Sequence, residues 1–104
     1  MPKVPAGVVR QSEIAEAVAE VERSLAPDVA HIRYEIATDW SGDWAIYFRV
    51  VLSDEASQQR LRDIATKVVG RLADRLDFQA LDLFPYHHFR NESEQAVLRD
   101  AAWA

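Results

Sequence analysis

Between residues 29 and 52 the hydrophobic positions recur every second residue. In VAHIRYEIAT, residues 29 to 38, Ile32, Tyr34 and Ile36 fall on one side and His31, Arg33 and Glu35 on the other. Residues 44 to 52, WAIYFRVVL, repeat the alternation: Trp44, Ile46, Phe48, Val50 and Leu52 against Ala45, Tyr47, Arg49 and Val51. A period of two predicts strands with one buried face. The short, glycine-containing DWSGD link predicts an antiparallel hairpin.

On either side of the hairpin the rhythm is helical. Ile14, Val18, Val21 and Leu25 recur at spacings of four, three and four and predict one apolar helix face. Ser12 reads as the N-cap, with Glu13 and Glu16 favoured near the positive end of the helix dipole. Pro27 ends the helix, because the residue before a proline avoids the α region. After the hairpin, Ser53 or Asp54 caps one long helix whose stripe is Leu61, Ile64, Ala65, Val68, Leu72 and Leu76. Gly70 interrupts it at a cost of about 1 kcal/mol relative to alanine; close packing on the hairpin is the expected reason.

Two strands alone are marginal in water, so the sheet needs a third strand or a second chain. The candidate is residues 81–89, LDLFPYHHF, which Pro85 confines to a sheet edge or a turn. Asn91 with Glu94 three residues on predicts a capping box opening a short last helix that ends near Trp103. The expected fold is α+β: a two-layer α-β-β-α core with an antiparallel hairpin, a third edge strand at about 81–89 and a short C-terminal helix. Residues 1–10, with Pro2, Pro5 and Gly7, are expected as a flexible arm on a single domain of residues 11–104.

Composition narrows the function classes. A chain of 104 residues has little stability to spare, so a homo-oligomer, a dimer in the first place, is a natural supplement. The net charge of −5 disfavours nucleic acid, whose non-specific affinity comes from neutralised phosphates. The absence of cysteine removes thiolate chemistry, disulfides and zinc-thiolate sites, and fits a reducing cytoplasm. No apolar run approaches the roughly 18 residues of a membrane span. The N-terminus has no apolar core of the kind a signal peptide carries.

Four places carry candidate chemistry. FPYHHFR, residues 84–90, sets His87 beside His88; with Tyr86 and Asp82 they form a candidate ligand site, while packing is their first expected role. In a strand the two imidazoles face opposite ways and do not readily share a metal ion, whereas a turn around Pro85 would let them converge. DWSGDW raises Trp40 between Asp39 and Asp43, where it either covers the hairpin end or anchors a partner, since tryptophan is enriched at binding hot spots. Arg60, Lys67, Arg71 and Arg75 line one side of the long helix as a snorkelling rim or a patch for an acidic partner. Glu13, Glu16, Glu20 and Glu22 give the first helix the opposite sign, so the two helices attract within one chain or across a dimer. No catalytic, metal-ligand or cofactor motif accompanies these residues. The expected function is therefore a small interaction or regulatory protein, of accessory-subunit or antitoxin-like kind, that binds another protein. A small enzyme or ligand-binding protein centred on residues 84–90 stands second, and a nucleic-acid binder using the long helix third.

Overall fold

The sheet is assembled around its middle strand. The computed structural model describes residues 4–104. Strands β1 (Val29–Thr38) and β2 (Trp44–Leu52) form the antiparallel hairpin, with Tyr34 opposite Phe48 and Thr38 opposite Trp44. Strand β3 (Phe84–Asn91) lies on the other side of β2 and parallel to it, Phe48 opposite His87, so the order is β1-β2-β3. Pro85, which cannot donate to a ladder, sits on an edge strand as its chemistry requires. A parallel partner needs a crossover, and residues 53–83 supply it with helices.

Helices from both sides of the hairpin cover one sheet face. Helix α2 (Gln11–Ser24) lays Ile14, Ala17, Val18 and Val21 on it, and α4 (Leu61–Arg75) lays Ile64, Val68 and Leu72. Together with Ile32, Ile46, Phe48, Val50 and Leu52 they form the core cluster. The predicted α-β-β-α core with its third edge strand is thus the observed one, and the period-two alternation of the hairpin residues is what aims them at it.

Several local expectations change. The first helix does not start at Ser12: a short helix, α1 (Ala6–Val9), precedes it, and the Arg10 carbonyl accepts the Glu13 and Ile14 amides. Of the residues expected as an arm, α1 is therefore ordered, with Gly7 buried; residues 1–3 lie outside those described. The expected long helix is two. Helix α3 (Asp54–Gln59), capped by Ser53 of the two residues expected, stops at Arg60, where φ is −140° and α4 begins anew. Arg60 grips both carboxylate oxygens of Asp28, at 3.0 and 2.8 Å, and the Asp28 carbonyl accepts the Ser53 amide, so this corner is tied to the start of β1. Leu61, expected in the stripe, is left exposed by the break. Gly70 is not packed on the hairpin; a Cβ there would meet nothing within 4 Å.

Between α4 and β3, α5 (Phe78–Leu81) ends at Asp82 in the left-handed region, φ 57°. The capping box of Asn91 and Glu94 opens α6 (Glu92–Leu98) with both reciprocal bonds made. That helix ends short of the expected Trp103. Arg99 turns the chain at φ 49°, and a 3₁₀ turn, Ala101–Trp103, carries the buried indole back onto the sheet.

Gly7 is the one place where the N-terminal helix depends on a missing side chain. A Cβ there would stand 2.3 Å from Leu83 Cδ1 and 3.3 Å from the Leu81 carbonyl oxygen. Leu83 is itself buried and has little room to turn away. Gly7→Ala is therefore expected to destabilise the fold by about 1–3 kcal/mol, the usual cost of overpacking. Urea denaturation checks this, and an unchanged midpoint would mean that α1 docking contributes nothing to stability.

Candidate functional site on the uncovered sheet face

Alternation that sends one set of side chains into the core sends the other to the opposite face, where no long helix lies. Its register rows are Ala37, Ala45 and Phe84; Glu35, Tyr47 and Tyr86; Arg33, Arg49 and His88; His31, Val51 and Arg90. The last row is roofed by the C-terminus. Arg90 stacks its guanidinium 4.2 Å from the Trp103 ring centre, and the Trp103 carbonyl sits 2.5 Å from His31 Nε2. Arg33 Nε donates to the Ala104 carbonyl.

The other rows form an aromatic platform. Tyr47 and Tyr86 stack with ring centres 5.1 Å apart and planes 13° apart. Phe84 leans on Tyr86 at 5.1 Å, and His88 tilts against Tyr47 at 6.2 Å. Arg49 sits 5.9 Å from the Tyr47 ring centre and pairs with Glu35 at 2.8 Å. Phe84 remains 59% exposed, a large apolar surface facing water.

The hairpin turn borders this platform. Asp39 Oδ1 accepts the amides of Ser41 and Asp43 and the Ser41 hydroxyl, and Gly42 supplies the positive φ of 88°. Asp39 Oδ2 accepts the Tyr86 hydroxyl at 2.9 Å, which fastens turn to platform. The Ser41 hydroxyl above all holds the Asp39 carboxyl below the usual carboxylate range; burial opposes it, and the Tyr86 hydroxyl and the two amides add to the lowering. By the same bond the Tyr86 phenol is pushed up from its ordinary value, so it stays a donor at neutral pH. On this stiffened turn Trp40 stands 93% exposed. It does not cover the hairpin end, while Trp44 is half-buried against the core. Below the turn, Gly42, Asp43, Trp44, Phe78, Asp82 and Phe84 border a cleft of about 410 Å³.

The structure therefore brings together Trp40, Asp39, Asp43 and Tyr86, with His88 on the same face. It separates His87, which stands on the helix-covered face and stacks on Phe48 at 5.3 Å. Asp82 caps α5 and lines the cleft, which neither histidine borders. Among the described residues no three His, Asp or Glu side chains gather as a metal site. Arg60, Arg71 and Arg75 are occupied within the chain: by Asp28, by the Ser24 hydroxyl at 2.9 Å and by Glu20. Among the described residues, only the Arg75–Glu20 pair joins the acidic and basic helices inside one chain; Arg60 is held at the start of β1, and Arg71 meets a neutral hydroxyl of α2. Phe84 falls within the candidate stretch 84–90, whereas Tyr47 and Arg49 border the platform and were absent from the sequence candidates. Their signal was the strand alternation itself, which placed Tyr47 and Arg49 opposite the core. No protein-family model matches this chain, and no curated protein and no solved structure matches it significantly.

Proposed function

We propose that this protein is a non-catalytic interaction module, of accessory or regulatory kind, that docks a protein segment on the border of Trp40, Phe84 and Tyr86. The observation that carries the reading is Trp40 itself, 93% exposed on a turn held by its own hydrogen bonds. An aromatic on a pre-formed turn leaves little backbone entropy to lose on binding, and the two χ angles of tryptophan and tyrosine keep the side-chain cost low. Phe84 and the Tyr47–Tyr86 stack extend the apolar contact, and Asp39 and Asp43 rim it with negative charge. The matching occupant is a segment with an apolar anchor flanked by lysine or arginine. A cytoplasmic partner fits the cysteine-free chain. A strand of nucleic acid fits less well, because Arg49 and Arg90 on this face already hold partners and the net charge is −5.

Capture on the immobilised chain tests this. A protein retained in stoichiometric amount is expected to bind Trp40→Ala at least about tenfold more weakly, as removal of a hot-spot anchor does. The melting temperature should not move, since an exposed side chain supports no packing. Equal retention by the variant removes Trp40 as the anchor. Retention of nucleic acid alone, lost steeply as salt rises, removes the protein-binding reading.

A further inference from the structure

We infer that β1 is a self-association edge: two copies of the chain join β1 to β1 antiparallel about a two-fold axis at Tyr34, making one six-stranded sheet. The inference does not rest on the role given to Trp40. It starts from which backbone groups face outward. The Ile32 amide points away from β2, towards the Glu22 carboxylate at 3.3 Å, and Arg33 Nη1 reaches the Ile32 carbonyl at 3.2 Å. At the other end of the strand the odd-numbered Asp39 amide bonds inward to the Asp43 carbonyl. Residues of an antiparallel strand alternate between bonding inward and facing outward, so Tyr34 and Ile36 also present both backbone groups outward. Only Ile32 is shielded by side chains. An open edge of this kind is a template for another strand.

Side-chain charge selects the occupant and the register. Pairing centred on Tyr34 sets residue 33 opposite residue 35 of the second copy, and 35 opposite 33. Arg33 then meets Glu35 twice. These are the non-hydrogen-bonded positions, where side chains come closest. Ile32 pairs with Ile36 on the helix-covered face through outward-facing backbone groups, which keeps the hydrogen-bond pattern consistent. Sliding the axis by one residue sets Glu35 against Glu35 or Arg33 against Arg33, so the neighbouring registers are disfavoured. The Glu35 carboxylate, already 2.8 Å from Arg49, gains a second cation from the partner copy. A groove of about 260 Å³ between α2 and β1, lined by Ala15, Val18, Ala19, Ile32 and Tyr34, leaves room for apolar side chains from across the axis. Tyr34 and Ile36 are only half-buried in one chain and would be covered in two. An interface in which the same patch serves both subunits is the ordinary form of a two-fold dimer.

Sedimentation and light scattering over a concentration series test the inference with the full chain. The wild type is expected to approach twice its 11.8 kDa mass as concentration rises. Arg33→Glu and Glu35→Arg, each checked for folding by circular dichroism, are expected to stay monomeric because each creates two like-charge pairs. Mixed in equal amounts they should recover the double mass, since one chain then presents carboxylates at both positions and the other presents guanidiniums at both. A wild type that remains monomeric into the millimolar range overturns the inference, whether or not a different protein occupies the edge. So do single variants that still dimerise, or a mixture that does not. Trp40→Ala should dimerise like the wild type, which keeps a failure here distinct from a failure of the docking site.

Discussion

Phe48→Ala is expected to cost about 3–5 kcal/mol, the range for truncating a buried phenylalanine. Phe48 is 0% exposed on the central strand, between Tyr34 on β1 and His87 on β3. Its ring meets Phe78 edge-on at 5.9 Å and stacks on His87 at 5.3 Å, so the substitution empties the point where sheet and crossover pack together. A domain of this size has only about 5–15 kcal/mol in total. The melting temperature should therefore fall by well over about 10 °C. Phe84→Ala, on the exposed side of the same sheet, should stay within about 0.5 kcal/mol. Thermal melts of the two variants decide the matter: equal stabilities would mean that the helix-covered face is not the core.

The second large effect concerns acid. His87 is half-buried on the covered face, and its Nε2 atom is buried without a hydrogen-bond partner among the described residues. Burial, and next the neighbouring His88, lower its affinity for a proton below that of an ordinary imidazole, 6.5. The unfolded chain then binds the proton more readily than the folded one. Stability rises with pH wherever that holds. The contribution is complete above 6.5 and is lost as pH falls from there through the depressed folded value. His87→Phe removes the titrating group and the orphaned nitrogen while preserving the stack on Phe48. It is expected to gain about 1 kcal/mol near neutrality, the size of an unsatisfied polar atom relieved. It should also flatten the loss of stability between about pH 7 and about pH 5, the range in which histidine titrates. A slope in His87→Phe as steep as that of the wild type would assign the acid sensitivity elsewhere.

The two histidines illustrate how far the sequence reached. Strand alternation was enough to send His87 and His88 to opposite faces, but not to say which face the helices would cover. That depended on which strand β3 would join. The choice of β2 as a parallel neighbour sets His87 on Phe48 and Tyr86 on Tyr47. Nothing local records it, because the two strands are distant in the chain and are brought together by burial of their side chains under the crossover helices. Trp40 was legible as a candidate, since a Ser-Gly turn between two strands must lie at a surface. What the sequence did not show is that the turn carrying it is fastened to β3 by Asp39 accepting the Tyr86 hydroxyl.

Most residues whose partners lie within one turn or one strand behaved as their pattern required, Ser12 and Leu61 being exceptions. The hairpin, the apolar faces of α2 and α4, the Ser53 cap and the Asn91–Glu94 box are all of this kind. Their energetics depend on neighbours three or four residues away, or on a period that the sequence displays directly. The tertiary structure decided the rest: the break at Arg60 drawn to Asp28, the arginines of α4 taken up by α2, and Trp103 folded onto Arg90. In each case a long side chain or a chain end could reach several partners of suitable charge or polarity. Only the packing of the sheet and helices set one of them within hydrogen-bonding or stacking distance.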